Sequence, residues 1–318
     1  MNIRSAFQEK RSFVMALSLF ASLGAGSIQA QLITGNNAAF NNGPIQTNNF
    51  GAGGTLVGSF VPDGAKVDSN NGRGVEVIGN KVFYTELSGG GGPTDKIRIA
   101  PFNGGAGGAD TGSVPNPRPT TGVQDLAFVN SSGVLYAMTG YPLAVPQVFG
   151  LNPLTGAVLS GPVTISAPAT PGSDGFTVLP TGNFLINNGD ESCTYNQYNP
   201  ATGAVISGTT LVVPLAAACT GVDTDGSSLY FQTDFNGYTK TDMTGALLAH
   251  VSVADLGPGV EDISLQKGFA GTPGAANCHG KSVSSLAQQY GGMDNAATAL
   301  GYASVSDLQD AIRAFCGS

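Results

Sequence analysis

The sequence predicts an all-β fold: a five-bladed β-propeller closed by strands from both ends of the repeat region, followed by a small α-helical module. Three observations predict it. A turn motif recurs at spacings of 49, 47 and 43 residues. Strand fragments at the two ends of the repeat region are each incomplete and complement one another. Beyond them, apolar residues switch from alternate to helical spacing.

The motif reads Asn152-Pro153-Leu154-Thr155-Gly156-Ala157-Val158 and again Asn199-Pro200-Ala201-Thr202-Gly203-Ala204-Val205. Asp242-Met243-Thr244-Gly245-Ala246-Leu247-Leu248 is a looser copy, and Asn103-Gly104 a degenerate one. Asn and Pro set the entry to a tight turn, and Gly supplies the positive φ that closes it. A second unit precedes each copy: Val82-Phe83-Tyr84-Thr85, Val134-Leu135-Tyr136-Ala137, Phe184-Leu185-Ile186-Asn187 and Leu229-Tyr230-Phe231-Gln232. Turns at Gly79-Asn80, Ser132-Gly133, Thr181-Gly182 and Asp225-Gly226 introduce these strands. Before the turns, further strands open at Gly74, Gly122, Gly175 and Gly221. Each unit therefore holds four strands, a to d from inside to outside, over the roughly 40–50 residues of a propeller blade.

The ends decide the count. Gly259-Val260-Glu261-Asp262-Ile263-Ser264 has the pattern of a strand a with no b, c or d after it. Ile45-Gln46-Thr47-Asn48 and Gly54-Thr55-Leu56-Val57-Gly58-Ser59-Phe60 have the pattern of c and d with no a before them. Joining them as a 1+3 shared blade makes five and removes two open sheet edges. A Gly-rich β-sandwich or solenoid is the competing architecture. The segment from Val148 to Val158 resembles the repeat of quinoprotein-type and related bacterial β-propellers, whose blades carry a strand, an Asx-x-x-Thr-Gly turn and a strand. The resemblance covers about residues 32–266 and implies the fold; no activity is carried over with it.

Composition bounds the function. Hydrophobic residues make up 41% of the 318, charged residues only 11%, and 47 are Gly. That supports a packed core of short strands and turns. A formal charge of −8 excludes a nucleic-acid partner, whose phosphates demand Lys and Arg. At the N-terminus, Arg4, Lys10 and Arg11 precede an uncharged apolar run over 13–25 that ends in Ile28-Gln29-Ala30. This is the pattern of a cleavable signal peptide over 1–30. The run is shorter than the about 20 residues of a spanning helix, and no other stretch could form a transmembrane segment. Cleavage before Gln31 removes three basic residues and one acid, so the charge moves from −8 to −10. The expected location is periplasmic or extracellular.

Export makes the four cysteines a disulfide framework. Of three formal pairings, Cys193–Cys219 and Cys278–Cys316 keep each bridge within one region. A b–c loop holding Cys193 and a d–a loop holding Cys219 lie at the same end of a propeller. A metal site on Cys278, His279 and Cys316 lacks a fourth ligand.

Acids stand near the start of each strand a: Glu76, Asp125, Asp174, Asp223 and Asp262, the first four spaced by 49. Converging at a channel mouth, they would hold a hard cation such as Ca²⁺, an arrangement similar to that of some lactone-hydrolysing propellers. The competing reading is that they accept backbone N–H groups. No Gly-x-Ser-x-Gly elbow with a paired base is present, and neither His250 nor His279 sits in a catalytic context. The glycine runs 89–92 and 104–108 read as loops, not phosphate cradles.

The chain therefore divides into a signal peptide (1–30), a propeller (31–267), a linker (268–277) and a Cys-bracketed helical module (278–318). Helices are expected over 282–290, over 294–300 and after Ser304, which is capped with Asp307. The segments Asn277-Cys278-His279-Gly280-Lys281-Ser282-Val283-Ser284 and Ala299-Leu300-Gly301-Tyr302-Ala303-Ser304-Val305 resemble a tail of exported proteins of soil α-proteobacteria that has no assigned role. The module reads as a portable appendage that docks an envelope partner, or as a passive cap. The expected function is a non-enzymatic binding propeller, taking a small molecule, glycan or protein on one face. The alternative is a Ca²⁺-dependent lactone or ester hydrolase.

Overall fold

The computed structural model describes residues 32–316 apart from 38–42, 67–70, 88–95, 103, 142–143, 235–236, 254–258, 270–275 and 301. The expected signal peptide, the glycine run 89–92, Asn103 and most of the expected linker lie outside the described residues.

The blades follow in chain order. Blade 1 contains β1 (Leu32–Asn37), β2 (Ile45–Asn49) and β3 (Thr55–Phe60). Blade 2 contains β4 (Asn71–Ile78), β5 (Lys81–Leu87), β6 (Lys96–Pro101) and β7 (Gly112–Pro115). Blade 3 contains β8 (Gly122–Val129), β9 (Val134–Tyr141), β10 (Gln147–Leu151) and β11 (Val158–Thr164). Blade 4 contains β12 (Phe176–Val178), β13 (Phe184–Asn187), β14 (Thr194–Tyr198) and β15 (Leu211–Val212). Blade 5 contains β16 (Cys219–Thr224), β17 (Ser228–Thr233), β18 (Gly237–Asp242) and β19 (Leu247–Ser252). Finally β20 (Val260–Leu265) returns to blade 1 and pairs antiparallel with β1, Thr34 opposite Ser264 and Asn36 opposite Asp262. The sheet order β20-β1-β2-β3 is the expected 1+3 closure, and the fold is a five-bladed propeller.

The repeated motif builds the c–d turns through one chemistry. Asn152 accepts from Leu154 N through its side chain and from Gly156 N through its carbonyl, both at 2.8 Å. Asn199 does the same with Ala201 and Gly203. In blade 4 the strand expected after this turn is shortened. Val205 makes only an isolated bridge to Tyr198, and strand d forms at Leu211–Val212. Thr209 Oγ1 accepts from Gln197 N (3.2 Å), and Thr210 donates to Asn196 (2.7 Å), so hydroxyls replace ladder bonds there.

With no Trp in the chain, Tyr and Phe pack the blade seams. Edge-to-face pairs join Tyr136 to Phe184 (5.6 Å), Tyr195 to Phe231 (5.0 Å) and Phe50 to Tyr230 (5.5 Å). Such geometry adds about 0.5–1.5 kcal/mol beyond area burial.

Three helices complete the described chain: α1 (Cys278–Tyr290), α2 (Met293–Leu300) and α3 (Val305–Cys316). Helix α1 starts four residues earlier than its apolar spacing indicates. The expected cap of α3 is present, with Asp307 N donating to Ser304 Oγ at 3.1 Å. The helices do not hang free. Leu286, Leu300 and Ile312 share one apolar core with Ile78, Leu126 and Phe128 of blades 2 and 3. Asn80 N donates to Leu300 O (3.0 Å), and a Cβ at Gly79 would lie 2.8 Å from Leu300 Cβ. The module is thus seated on the a–b turn end of the propeller. Both disulfides, Cys193–Cys219 and Cys278–Cys316, form as paired from the sequence. Among the described residues no helix is long and apolar enough to cross a membrane.

Candidate functional site

The central channel is where the sequence places its candidate chemistry. Five inner strands meet there, each paired in a ladder on its outer edge only, so their channel-facing N–H groups need other acceptors. The acids supply them. Val75 N donates to Asp262 Oδ2 at 2.7 Å, joining blade 1 to blade 2. Phe128 N donates to Glu76 Oε2 at 3.0 Å, joining 2 to 3. Phe176 N donates to Asp125 Oδ2 at 2.5 Å, joining 3 to 4. Leu265 N donates to Asp223 Oδ2 at 2.8 Å, joining 5 to 1. The seam between blades 4 and 5 uses hydroxyls instead, Thr177 to Asp223 (3.3 Å) and Tyr195 to Thr220 O (3.4 Å).

The five acids reach the channel region at three different levels. Asp125 and Asp262 form the middle level, each also accepting from the backbone N–H of the next residue, Leu126 N at 2.6 Å and Ile263 N at 2.7 Å. Burial raises both pKa values well above the usual carboxylate range, and for Asp125 the charge of Asp262 adds to this. Burial thus favours the neutral form in this pair. Gly74 and Gly221 make room for it: a Cβ would lie 3.0 Å from Asp125 Cα and 2.6 Å from Asp262 Cα, respectively.

Glu76 and Asp223 lie one level closer to the helical module. Lys267 Nζ bridges them, 2.6 Å from Asp223 Oδ1 and 3.1 Å from Glu76 Oε2, and Ser264 Oγ donates to Glu76 Oε1 at 3.0 Å. Burial pushes Glu76 up to about 8, with Lys267 partly offsetting it. Burial opposes the charge on Lys267, but Asp223 and Glu76 outweigh it and hold the ammonium protonated.

Asp174 belongs to a third level, nearest the b–c loop end. There the inner strands of blades 1, 2, 3 and 5 each bulge by one residue against strand b. The extra residues fall at Arg73-Gly74, Gln124, Thr220-Gly221 and Glu261. Asp174 and Gly175 fill the same role in blade 4, both donating N–H to Asn187 Oδ1. Such bulges re-aim side chains. Arg73 here pairs with Glu261 at 2.6 Å and stacks 4.7 Å from the Tyr141 ring centroid. Asp174 accepts from Asn187 Nδ2 at 2.5 Å, and burial raises its pKa well above the usual range. Gln124 is 1% exposed, and neither end of its amide has a partner.

All five acids are at most 2% exposed. Among the described residues, no three His, Cys, Asp or Glu come together in a way that could hold a metal ion. Lys267, Arg73 and Gln124 were not legible from spacing. Lys267 stands at the end of the repeat region, 191 residues from Glu76 in sequence, and only ring closure brings them together. His250 lies on β19, bonded to Thr239 Oγ1 at 3.0 Å.

No family model and no curated protein matches this sequence. Several solved structures resemble it at low identity. A protein of unknown function from Bacteroides caccae shares 9% identity at a TM-score of 0.48, over 75% of this chain and 99% of that one. The glutaminyl cyclase of Myxococcus xanthus shares 12% at 0.43, over 58% and 72%. The WD40 β-propeller domain of Doa1 shares 14% at 0.36, over 62% and 59%.

Proposed function

We propose that this protein is an exported, non-enzymatic binding propeller of the periplasm or extracellular space, engaging a small molecule, glycan or protein through its surface. One observation carries the reading. The carboxylates that a metal-dependent hydrolase would need at the channel are each bonded to backbone N–H groups, and two of them also to Lys267. A carboxylate that stitches two blades cannot leave its donor without orphaning a buried N–H, at a cost of about 1–3 kcal/mol. The channel interior is thus committed to holding the ring together, and recognition falls to loops, grooves and rims. The seated helical module supports a capping role at one end of the channel. An envelope partner would meet its outward side.

The test is an assay of the purified mature chain (31–318) on a γ-lactone and a p-nitrophenyl ester, with calcium added. The expected result is no turnover above background. Turnover that disappears in Asp223→Asn or on chelation would establish the hydrolase instead.

A further inference from the structure

Buried polar atoms without partners gather at one level of the channel, the one nearest the b–c loops. They are Asn36 Oδ1, Arg73 Nε, both ends of the Gln124 amide, and Gln232 Nε2. Arg73 and Gln124 stand in the bulges of β4 and β8; Gln232 lies opposite the bulge of β16, and Asn36 beside that of β20. The roles of these atoms are fixed. Arg73 Nε only donates, and Gln124 presents one donor end and one acceptor end whichever way its amide is turned. Gln232 Oε1 accepts from Thr220 Oγ1 at 2.7 Å, which leaves Nε2 to donate. Asn36 Nδ2 donates to Thr85 O at 3.0 Å, which leaves Oδ1 to accept.

Gln124 faces the channel. Val123 before it packs in the core between blades 2 and 3, and Asp125 after it bonds to blade 4. The extra residue between them stands at the inner edge of the sheet. Arg73 reaches the same place, paired with Glu261 and stacked on Tyr141, which is opposite Gly122 in β8. The side chains of Arg73 and Glu261 are 10% and 12% exposed, whereas Gln124 is 1% exposed. Toward the helical module the next levels are filled by Asp125, Asp262 and the Lys267 bridge. The site is therefore a recess that opens toward the b–c loops, with Gln124 at its base.

Its charge is selective. Asp174 lies at this level, and the exposed Asp190 and Glu191 stand on the b–c loop of blade 4. That loop is held by the Cys193–Cys219 bridge and by Cys219 N donating to Glu191 O at 3.0 Å. Burial raises the pKa of Glu261, Arg73 lowers it in part, and the charges of Asp190 and Glu191 raise it further, so these groups share one mouth. Four carboxyl groups thus face one guanidinium, which disfavours an anion and favours a cation. Among the described residues no three of these acids come together as metal ligands. An ammonium instead reaches separated carboxylates through its own N–H groups. The amide and guanidinium need an acceptor and a donor as well, and a hydroxyl supplies both from one oxygen.

We propose that this recess binds a small hydroxylated primary amine, its ammonium held by Glu261 and Asp174 and its hydroxyls by Gln124 and Arg73. The inference deepens the binding reading above, naming a class of small molecule for it, and rests on it.

The experiment titrates D-glucosamine into residues 31–318 by calorimetry, with the Gln124 side-chain amide followed by NMR. Saturable binding in the millimolar range or below that shifts the Gln124 signals is expected. Glucose, which lacks the ammonium, should bind at least about 10-fold more weakly, the loss of one charge-assisted hydrogen bond. Ethanolamine binding as tightly as glucosamine would assign the site to amino alcohols, and weaker binding to amino sugars. Gln124→Met keeps the bulk and removes the unpaired polar ends, so it should abolish binding without lowering the melting temperature. Asp190→Asn, at the exposed rim, should weaken binding about 1.5- to 5-fold. Absence of saturation at tens of millimolar amine overturns the proposal. So do equal binding of glucose, saturation by calcium in place of the amine, or a melting temperature that falls in Gln124→Met with no amine bound, the mark of ordered water only. The two readings fail separately: a silent titration leaves the non-enzymatic reading standing, and lactone or ester turnover sinks that reading whatever the amine does.

Discussion

The backbone N–H of Val75 donates to Asp262 Oδ2 at 2.7 Å, linking residues 187 positions apart in sequence. This bond is the seam at which the split blade meets its neighbour. Its pattern repeats at three other seams with Glu76, Asp125 and Asp223 as acceptors. A ring of carboxylates facing inward is thereby converted from a source of repulsion into the element that joins the blades.

Lys267 balances that ring. Lys267→Met leaves Glu76 and Asp223 buried without their countercharge and should destabilise the protein by about 3–5 kcal/mol, the usual penalty for breaking a buried pair. Urea unfolding measures it. The triple variant Lys267→Met/Glu76→Gln/Asp223→Asn should recover much of the loss. A loss below about 1 kcal/mol in the single variant would mean that the channel is solvated.

The helical module and the propeller should unfold together. Leu300→Ala, at the contact with Gly79 and Asn80, should lower stability by about 2–4 kcal/mol while leaving one cooperative transition. Calorimetry decides the point. A separate, earlier transition for the module, with the propeller melting unchanged, would restore the portable appendage expected from the sequence.

Glu86 makes stability depend on pH. It is the penultimate residue of β5, is 1% exposed, and neither carboxylate oxygen has a hydrogen-bond partner. Burial pushes its pKa from 4.5 up to about 8, with Arg98 offsetting in part. A raised folded-state pKa contributes stability that is complete below the unfolded value of 4.5 and is lost as pH rises to about 8. Glu86→Gln mimics the neutral form. Its melting temperature should match the wild type near about pH 4.5 and exceed it by at least about 3 °C near pH 9, on a scale of roughly 2–4 °C per kcal/mol. Parallel pH profiles for the two proteins would show that Glu86 ionises freely in the folded state.

The architecture was legible because turn chemistry is local. Asn152 and Asn199 announce their turns through side chains that bond the next two or three residues, and the incomplete ends announce closure. The channel was legible only in part. The even spacing of 49 drew Glu76, Asp125, Asp174 and Asp223 into one set, yet bulges and unequal a–b turns shift the register between blades. Asp174 aligns with Gln124, Glu261 and Arg73, whereas Asp125 aligns with Asp262. A one-residue slip reassigns a strand side chain to another face, and nothing in the local sequence marks where the extra residue falls. Lys267 and Arg73 gave no signal because their partners lie 191 and 188 residues away.

The most direct test of the account is thermal melting of residues 31–318 in excess EDTA and in about 1 mM calcium, where weak sites of the extracellular type fill. If the channel carboxylates are satisfied from within, the two curves coincide to within about 1 °C, a few tenths of a kcal/mol. A fall of several degrees in EDTA, reversed by one equivalent of calcium and absent in Asp223→Asn, would contradict it.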